Sequence, residues 1–368
     1  MADIIKFDLL IIILSKMLDK SISNASYQIK QLQGGTLGDV QLVTGLAQTI
    51  DNEKIPYKIV WKKQKKWERP GDPESWRREF DLYQSNLHIA FTPALRWPEC
   101  YHLELSNDTI ELWMEYVDGV SGVDLSIEML EQAALELGRF LGRINQRHED
   151  LKSIACLGDT GFLQREFNQW HMQSYTYDYL ISKQSRLPEF LKEMLKNSEI
   201  QLVDGKSFEY SYLRSKGCDI PENLKKMIMD IDDRKEDIFK RLKNLPVVLC
   251  HRDFWNENII FTDGGVRLID WDTAGWGYLG EDIASLIVDG MDVDRFEENY
   301  NRLIPAYLNG VMEYMDIPDI DEMYILEMIL IKFGYRMMQE RMFSETFDKK
   351  NWGMSALQKI HEIMYSKN

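Results

Sequence analysis

The segment His251-Arg252-Asp253-Phe254-Trp255-Asn256-Glu257-Asn258 follows an apolar run, Val247-Val248-Leu249, and Asp270 stands 12 residues beyond Asn258, within Leu268-Ile269-Asp270-Trp271-Asp272. A carboxylate, an amide and a second carboxylate are thereby set at one end of a short hairpin. The chemistry that uses such a set is phosphoryl transfer from a nucleotide. Asp253 is placed to accept a hydrogen bond from an attacking hydroxyl and orient it. Asn258 and Asp270 offer oxygens to Mg2+, a hard cation that takes one or two carboxylates beside phosphate and water. His251 braces the loop rather than reacting. The plain alternative is a polar turn with three solvated side chains, and apolar strands on both sides count against it.

Elements that could hold these groups can be read from the pattern of the chain. Short strands are expected at 246–250, 258–261 and 266–269, the last two joined by the turn Asp263-Gly264-Gly265. Nearer the N-terminus, residues 27–32 alternate, 40–44 follow a glycine cluster, and 56–62 are β-rich after the turn-like Asp51-Asn52-Glu53-Lys54. These form a three-strand antiparallel meander. After the break Pro70-Gly71-Asp72-Pro73, Asp72 is expected to cap a helix running to about Asn86. Two further strands are expected at 101–105 and 109–117. Beyond Asp118-Gly119 the character becomes helical, with Leu130, Ala134, Leu137, Leu141 and Ile144 at helical spacing within 127–146. Residues 163–243 and those from about Glu281 onward also read as helices. The expectation is an α+β fold with a small β-rich N-lobe, 1–118, and a larger, mostly helical C-lobe, 119–368, carrying the hairpin in its middle. The stretch Gly34-Gly35-Thr36-Leu37-Gly38 falls between the first two strands, where glycines let backbone N–H groups approach phosphates closely. Taken alone, a glycine-rich hairpin turn explains it as well.

The HxDxxxxN segment and the following Ile269-Asp270 resemble the catalytic loop and metal segment of the aminoglycoside phosphotransferase and choline kinase superfamily, which shares its fold with protein kinases. The resemblance implies a bilobal kinase-like fold, Asp253 as catalytic base, and Asn258 and Asp270 as metal ligands, with Asp272 a weaker one. Glu281-Asp282-Ile283-Ala284 resembles the family's helix start after the metal segment, and Asp282 there would brace the catalytic loop. Ile59-Val60-Trp61-Lys62 resembles the kinase V-A-I-K strand, which makes Lys62 the partner of the α- and β-phosphates. Lys63, Lys65 and Lys66 crowd the same stretch, and a solvated strand edge accounts for those three. Arg78 to Tyr83 looks like the family's "RE…Y" helix, with Glu79 holding Lys62; an ordinary surface carboxylate is the alternative. Trp113 to Gly119 resembles the hinge, where backbone groups near Glu115 and Val117 would meet the adenine edge. The nucleotide set is then Gly34, Gly35, Thr36, Gly38, Lys62, Glu79, Glu115 and Val117.

The loop also reads HRD, as in protein kinases. Against a peptide acceptor stand Trp255 where those enzymes usually carry lysine, the lack of DFG and APE, and only about ten residues between Asp270 and Glu281. A small-molecule acceptor is favoured. Phe167, Trp170, Tyr175, Tyr177 and Tyr179 cluster in an insert spanning about 161–243; they could stack a sugar or cation, or simply form core. Asp289, Asp292, Asp294, Glu297 and Glu298 would suit a polyamine sugar, or be a solvated helix face. With 44 Lys and Arg against 60 Asp and Glu, the net charge is −16, which argues against a nucleic-acid partner. The four cysteines include no CxxC pair and fit a reducing cytoplasm, and the apolar run at 9–14 is too short to span a bilayer. The reading is a cytoplasmic small-molecule O-kinase using ATP or GTP with Mg2+, its acceptor a hydroxyl of an amino-sugar, amino-alcohol or sugar. The alternative is a pseudokinase that binds nucleotide without turnover.

Overall fold

In the computed structural model, which describes residues 5–32, 38–67, 69, 72–168, 189–203, 206, 208–290, 292–317, 322–343 and 347–365, the strands run in chain order as β1 (Ile22–Gln31), β2 (Gly38–Thr49), β3 (Lys54–Lys65), β4 (Leu95–Arg96), β5 (Cys100–Ser106), β6 (Thr109–Glu115), β7 (Val120–Ser121), β8 (Val247–Cys250), β9 (Ile259–Thr262), β10 (Gly265–Leu268) and β11 (Gly275–Tyr278). The chain groups into two units. The first comprises Met1–Ser121, His148–Leu157 and Asn258–Thr273; the second comprises Gly122–Arg147, Gly158–Glu257 and Ala274–Asn368.

In the first unit, β1, β2 and β3 form the antiparallel meander that period-two patterning predicts, inside a sheet of order β1-β2-β3-β6-β5. Asn52, at φ 66°, turns the chain between β2 and β3, a left-handed conformation that asparagine tolerates. The apolar N-terminal run becomes helix α1 (Phe7–Leu18), which buries Leu10, Ile13 and Leu14 with Val43, Ile59, Trp61 and Trp113 of the sheet. Among the described residues no helix is long and apolar enough to cross a membrane. Strand β6 alternates: Trp113 joins the α1 cluster, while Ile110, Leu112 and Met114 pack with Trp76 and Phe80 of helix α2 (Ser75–Tyr83).

Asp72 does not cap that helix. The helix begins at Ser75 with no side-chain cap, and the Asp72 carboxylate instead takes the Arg78 guanidinium at 2.5 and 2.7 Å. A fork of two bonds between opposite charges outcompetes a single capping bond to a neutral amide. The helix also ends at Tyr83, before a separate 3-10 turn at Leu87–Ala90.

The β9–β10 hairpin turns at Gly265, whose φ of 95° suits glycine. Sequence patterning set this hairpin in the helical lobe, but its sheet neighbours lie in the first unit. Strand β10 runs parallel to β4, and β9 runs antiparallel to β7, giving the order β4-β10-β9-β7.

The second unit is mostly helical. Its helices are α3 (Ile127–Gln146), α4 (Phe162–Asn168), α5 (Glu189–Lys196), α6 (Phe208–Leu213), α7 (Glu222–Asp233), α8 (Lys235–Leu242), α9 (Glu281–Val288), α10 (Phe296–Met312), α11 (Glu322–Ile329), α12 (Tyr335–Phe343) and α13 (Phe347–Tyr365), with a π-helical turn at Leu330–Gly334. Helix α3 has the bounds its periodicity predicts, and the Ser126 hydroxyl caps it by accepting from the Met129 amide at 3.3 Å. It crosses α10 at two glycines. A Cβ on Gly138 would come within 2.1 Å of the Tyr307 carbonyl, and one on Gly310 within 2.2 Å of the Leu135 carbonyl. Strand β8 pairs antiparallel with β11. Of the aromatic insert residues, Phe167 is core, edge-on to Phe239 and Tyr335. Trp170, Tyr175, Tyr177 and Tyr179 lie outside the described residues.

Candidate phosphate and metal site

Lys62 lies on β3, between Val40 of β2 and Leu112 of β6, and its side chain emerges on the α2 face of the sheet. There its ammonium donates to Glu79 Oε2 at 2.6 Å and to Asp270 Oδ1 at 2.7 Å. Burial works against the charge, but the carboxylates of Asp270, Glu79 and Asp272 outweigh it and hold the Lys62 pKa above the ordinary lysine value. Lys62 is thus a permanently charged buried cation. Strand alternation turns its neighbour away: Lys63 is half-buried with its ammonium 3.6 Å from the Trp61 ring centre, while Lys65 and Lys66 are exposed.

Asp270 follows β10 in a left-handed conformation, φ 66°, which a carboxylate side chain tolerates at some cost. Its surroundings are fixed from several directions. The Ile269 amide donates to the Asn258 carbonyl at 3.1 Å. The buried Trp271 indole donates to the Leu268 carbonyl at 2.9 Å and packs edge-on against Phe91 and Trp97. Asp272 sits in the next turn, largely buried, with Arg69 at 3.9 Å. Burial first, then the charge of Asp270, pushes its carboxyl up to about 7, against the pull of Lys62 and Arg69.

Asn258, Asp270 and Asp272 present an amide and two carboxylates, all hard oxygen donors, and Asn258 is buried. The repulsion between the two aspartates is what a divalent cation would relieve, so this donor set fits Mg2+. Among the described residues, no group of three or more His, Cys, Asp and Glu side chains gathers that could hold a metal ion, so the set depends on the Asn258 amide beside the two carboxylates.

The expected nucleotide positions are partly accounted for. Gly38 opens β2, and a Cβ there would lie 3.1 Å from the Lys63 carbonyl. Gly34, Gly35 and Thr36 lie outside the described residues. At the hinge, the Glu115 amide donates to the Glu99 carbonyl at 2.8 Å, and its carboxylate takes Arg96 at 2.8 and 3.1 Å. Burial tends to raise the Glu115 pKa, but Arg96 and the Glu99 amide bring it below the usual range. Its amide is therefore committed to the fold. Val117 follows the strand, half-buried, and its backbone makes no hydrogen bond among the described residues.

The second unit holds the expected base. Asp253 is half-buried in the loop after β8. The two residues before it are anchored by Asp282, which is buried in the first turn of α9. Its carboxylate accepts from the His251 amide at 2.8 Å and the Arg252 amide at 2.7 Å. Arg252 adopts φ 70°, and its guanidinium donates to the Asp159 and Trp276 carbonyls, both at 2.7 Å, across the Phe162 ring. Gly158 and Gly275 make room for it, since a Cβ on either would fall within 2.6 Å of Arg252 Nη1. Lys332, from the π-helical turn, donates to the Glu281 carbonyl at 2.9 Å and to Ser285 Oγ at 2.6 Å. Sequence reading missed these two latches. A lone lysine in the apolar run Ile329-Leu330-Ile331-Lys332-Phe333 was the signal for the second.

A family profile described as "Phosphotransferase enzyme family" matches residues 65–316, and the chain belongs to that family. It is a phosphotransferase. Among solved structures, a choline kinase from Cryptosporidium parvum Iowa II is similar at 15% identity and a TM-score of 0.53, covering 93% of this chain and 89% of that one. That likeness supports the protein kinase-like fold. An ethanolamine kinase from Plasmodium vivax is 18% identical at a TM-score of 0.46, covering 94% and 83% of the two chains. A thermostable mutant of aminoglycoside phosphotransferase APH(4)-Ia, in a ternary complex with AMP-PNP and hygromycin B, is 12% identical at 0.48, covering 96% and 99%. No curated protein matches the chain.

Proposed function

We propose that this phosphotransferase transfers the γ-phosphoryl group of ATP or GTP to a hydroxyl of an amino-sugar, amino-alcohol or sugar. The observation that carries the reading is the double engagement of Lys62 with Glu79 and Asp270. A buried lysine held between a helix carboxylate and a metal-segment carboxylate is poised to exchange one partner for a nucleotide phosphate. In this reading Lys62 fixes the α- and β-phosphates, and the amides around Gly34, Gly35, Thr36 and Gly38 cradle them. Backbone groups at Val117 and the Glu115 carbonyl meet the base. Asn258, Asp270 and Asp272 hold Mg2+, which supplies charge neutralisation on the phosphates when bound. Asp253 accepts a hydrogen bond from the acceptor hydroxyl and orients it for in-line attack, so that rate is gained by positioning and electrostatics.

Nucleotide binding falls to residues 1–118, and the base and acceptor contacts fall to 119–368, with the metal ligands flanking the β9–β10 hairpin. The missing peptide platform favours a small acceptor, and the net charge of −16 favours one carrying an amine. Free thiols at Cys100, Cys156, Cys218 and Cys250 support a cytoplasmic setting.

The test is thermal shift with ATP and with GTP, each with and without Mg2+, followed by nucleotide consumption with a panel of hydroxylated amines and sugars. A Mg2+-dependent shift with turnover on one acceptor is the expected result. A shift without turnover on any acceptor would favour the pseudokinase, and no shift with either nucleotide would overturn the nucleotide site.

A further inference from the structure

Arg78 is adjacent to Glu79 on α2, and nothing in the phosphoryl-transfer reading uses it. It is one of the most deeply buried large side chains of the first unit, 2% exposed. Burying a guanidinium is costly unless its donors are filled. Here Nε donates to the Cys156 carbonyl at 2.6 Å, Nη1 to Asp72 Oδ2 at 2.7 Å and to the Asp272 carbonyl at 2.9 Å, and Nη2 to Asp72 Oδ1 at 2.5 Å. Two of these bonds neutralise the charge on Asp72. The other two reach peptide oxygens distant in sequence, and one of them is the peptide oxygen of a proposed metal ligand.

The metal segment needs such support. Asp270 is held left-handed, and a non-glycine residue keeps that conformation where its surroundings over-determine it. The Trp271 indole anchors the segment on one side against Phe91 and Trp97. Arg78 fastens the next residue from α2. One helix therefore carries, at consecutive positions, the group that holds Lys62 and the group that holds the peptide just after Asp272.

We infer that Arg78, charge-balanced by Asp72, is a positioning residue that sets the Asp270–Asp272 backbone for metal binding in the nucleotide complex. The inference rests on the assignment of Asp270 and Asp272 as metal ligands. Lysine cannot replace the planar fork that serves three acceptors at once. Arg78→Lys keeps the charge and loses that geometry.

The experiment uses Mn2+ as a stand-in for Mg2+ and reads its binding by electron paramagnetic resonance at saturating ATP, with ATP binding in EDTA measured alongside by thermal shift. For Arg78→Lys we expect the Mn2+ dissociation constant in the ATP complex to rise about fivefold or more, with metal-free ATP binding within twofold of the parent. The double variant Arg78→Gln with Asp72→Asn removes the buried ion pair as a unit and withdraws the guanidinium from the Asp272 carbonyl; it should give a similar rise and serves if Arg78→Lys does not fold. Mn2+ affinity unchanged in whichever variant folds, or metal-free ATP binding falling in parallel with it, would overturn the positioning role. A parent protein that binds no Mn2+ with ATP would instead sink the metal-site assignment, so the two failures are distinguishable.

Discussion

At the scale of single residues, the chemistry rests on Asp253 and Lys62, and the two should fail differently. Asp253→Asn keeps shape and removes the acceptor for the hydroxyl proton. Turnover should fall by roughly 10²–10⁴-fold, while the Mg2+–nucleotide thermal shift stays near that of the parent. Unchanged turnover in that variant would remove Asp253 as the base. Lys62→Met removes the cation between Glu79 and Asp270. Nucleotide affinity should drop about tenfold or more, read by isothermal titration, because a charge-assisted contact to phosphate is lost. A variant with parental affinity would mean that another group carries the phosphates. The residue types of the catalytic loop were legible in the sequence because their spacing is covalent. The choice of Lys62 among four nearby lysines came from the resemblance to a kinase strand, whereas its second contact, with Asp270, was not legible because it depends on which face of β3 meets α2.

At the scale of elements, the crossing of α3 and α10 is a backbone contact. Gly→Ala within a helix ordinarily stabilises by about 1 kcal/mol. At Gly138 and Gly310 the sign should reverse, because the new methyl would collide with a carbonyl at 2.1 or 2.2 Å. Either substitution should destabilise by about 1–3 kcal/mol, measured by urea unfolding. A neutral or stabilising result would mean that the helices part without cost. The periodicity of α3 was readable from its apolar residues, whereas the part played by Gly138 depends on the helix that crosses it.

At the scale of the whole molecule, stability should depend on pH through Glu209 of α6. It is fully buried, with one oxygen accepting from Gln339 at 2.9 Å and the other without a partner. Burial, assisted by the charge of Asp232, pushes its carboxyl up to about 7. An unfolded glutamate titrates near about 4.3. The folded state thus binds its proton more tightly. The associated stability is fully present below the unfolded pKa and is lost as pH rises through about 7, on the order of 3 kcal/mol in all. Self-repulsion of an acidic chain acts in the same direction, so the comparison is with Glu209→Gln. Between pH 5 and 8 the parent should lose denaturant resistance more steeply than the variant. Parallel curves would show that Glu209 does not titrate in this range.

What the sequence determined by itself is whatever short-range covalent geometry dictates. The period of two in the meander, the period of 3.6 along residues 127–146, and the interval from Asp253 through Asn258 to Asp270 around a tight hairpin are all local. Family resemblance then supplied the fold and the phosphotransferase class. The tertiary structure alone decided which groups meet across long stretches of chain. Lys62 and Asp270 are 208 residues apart in sequence, and Arg78 and the Asp272 carbonyl 194. Asp72 illustrates the difference. Its place before a helix reads as a cap, yet a buried guanidinium on the same helix claims the carboxylate, because an unpaired charge in the interior costs more than an uncapped helix end.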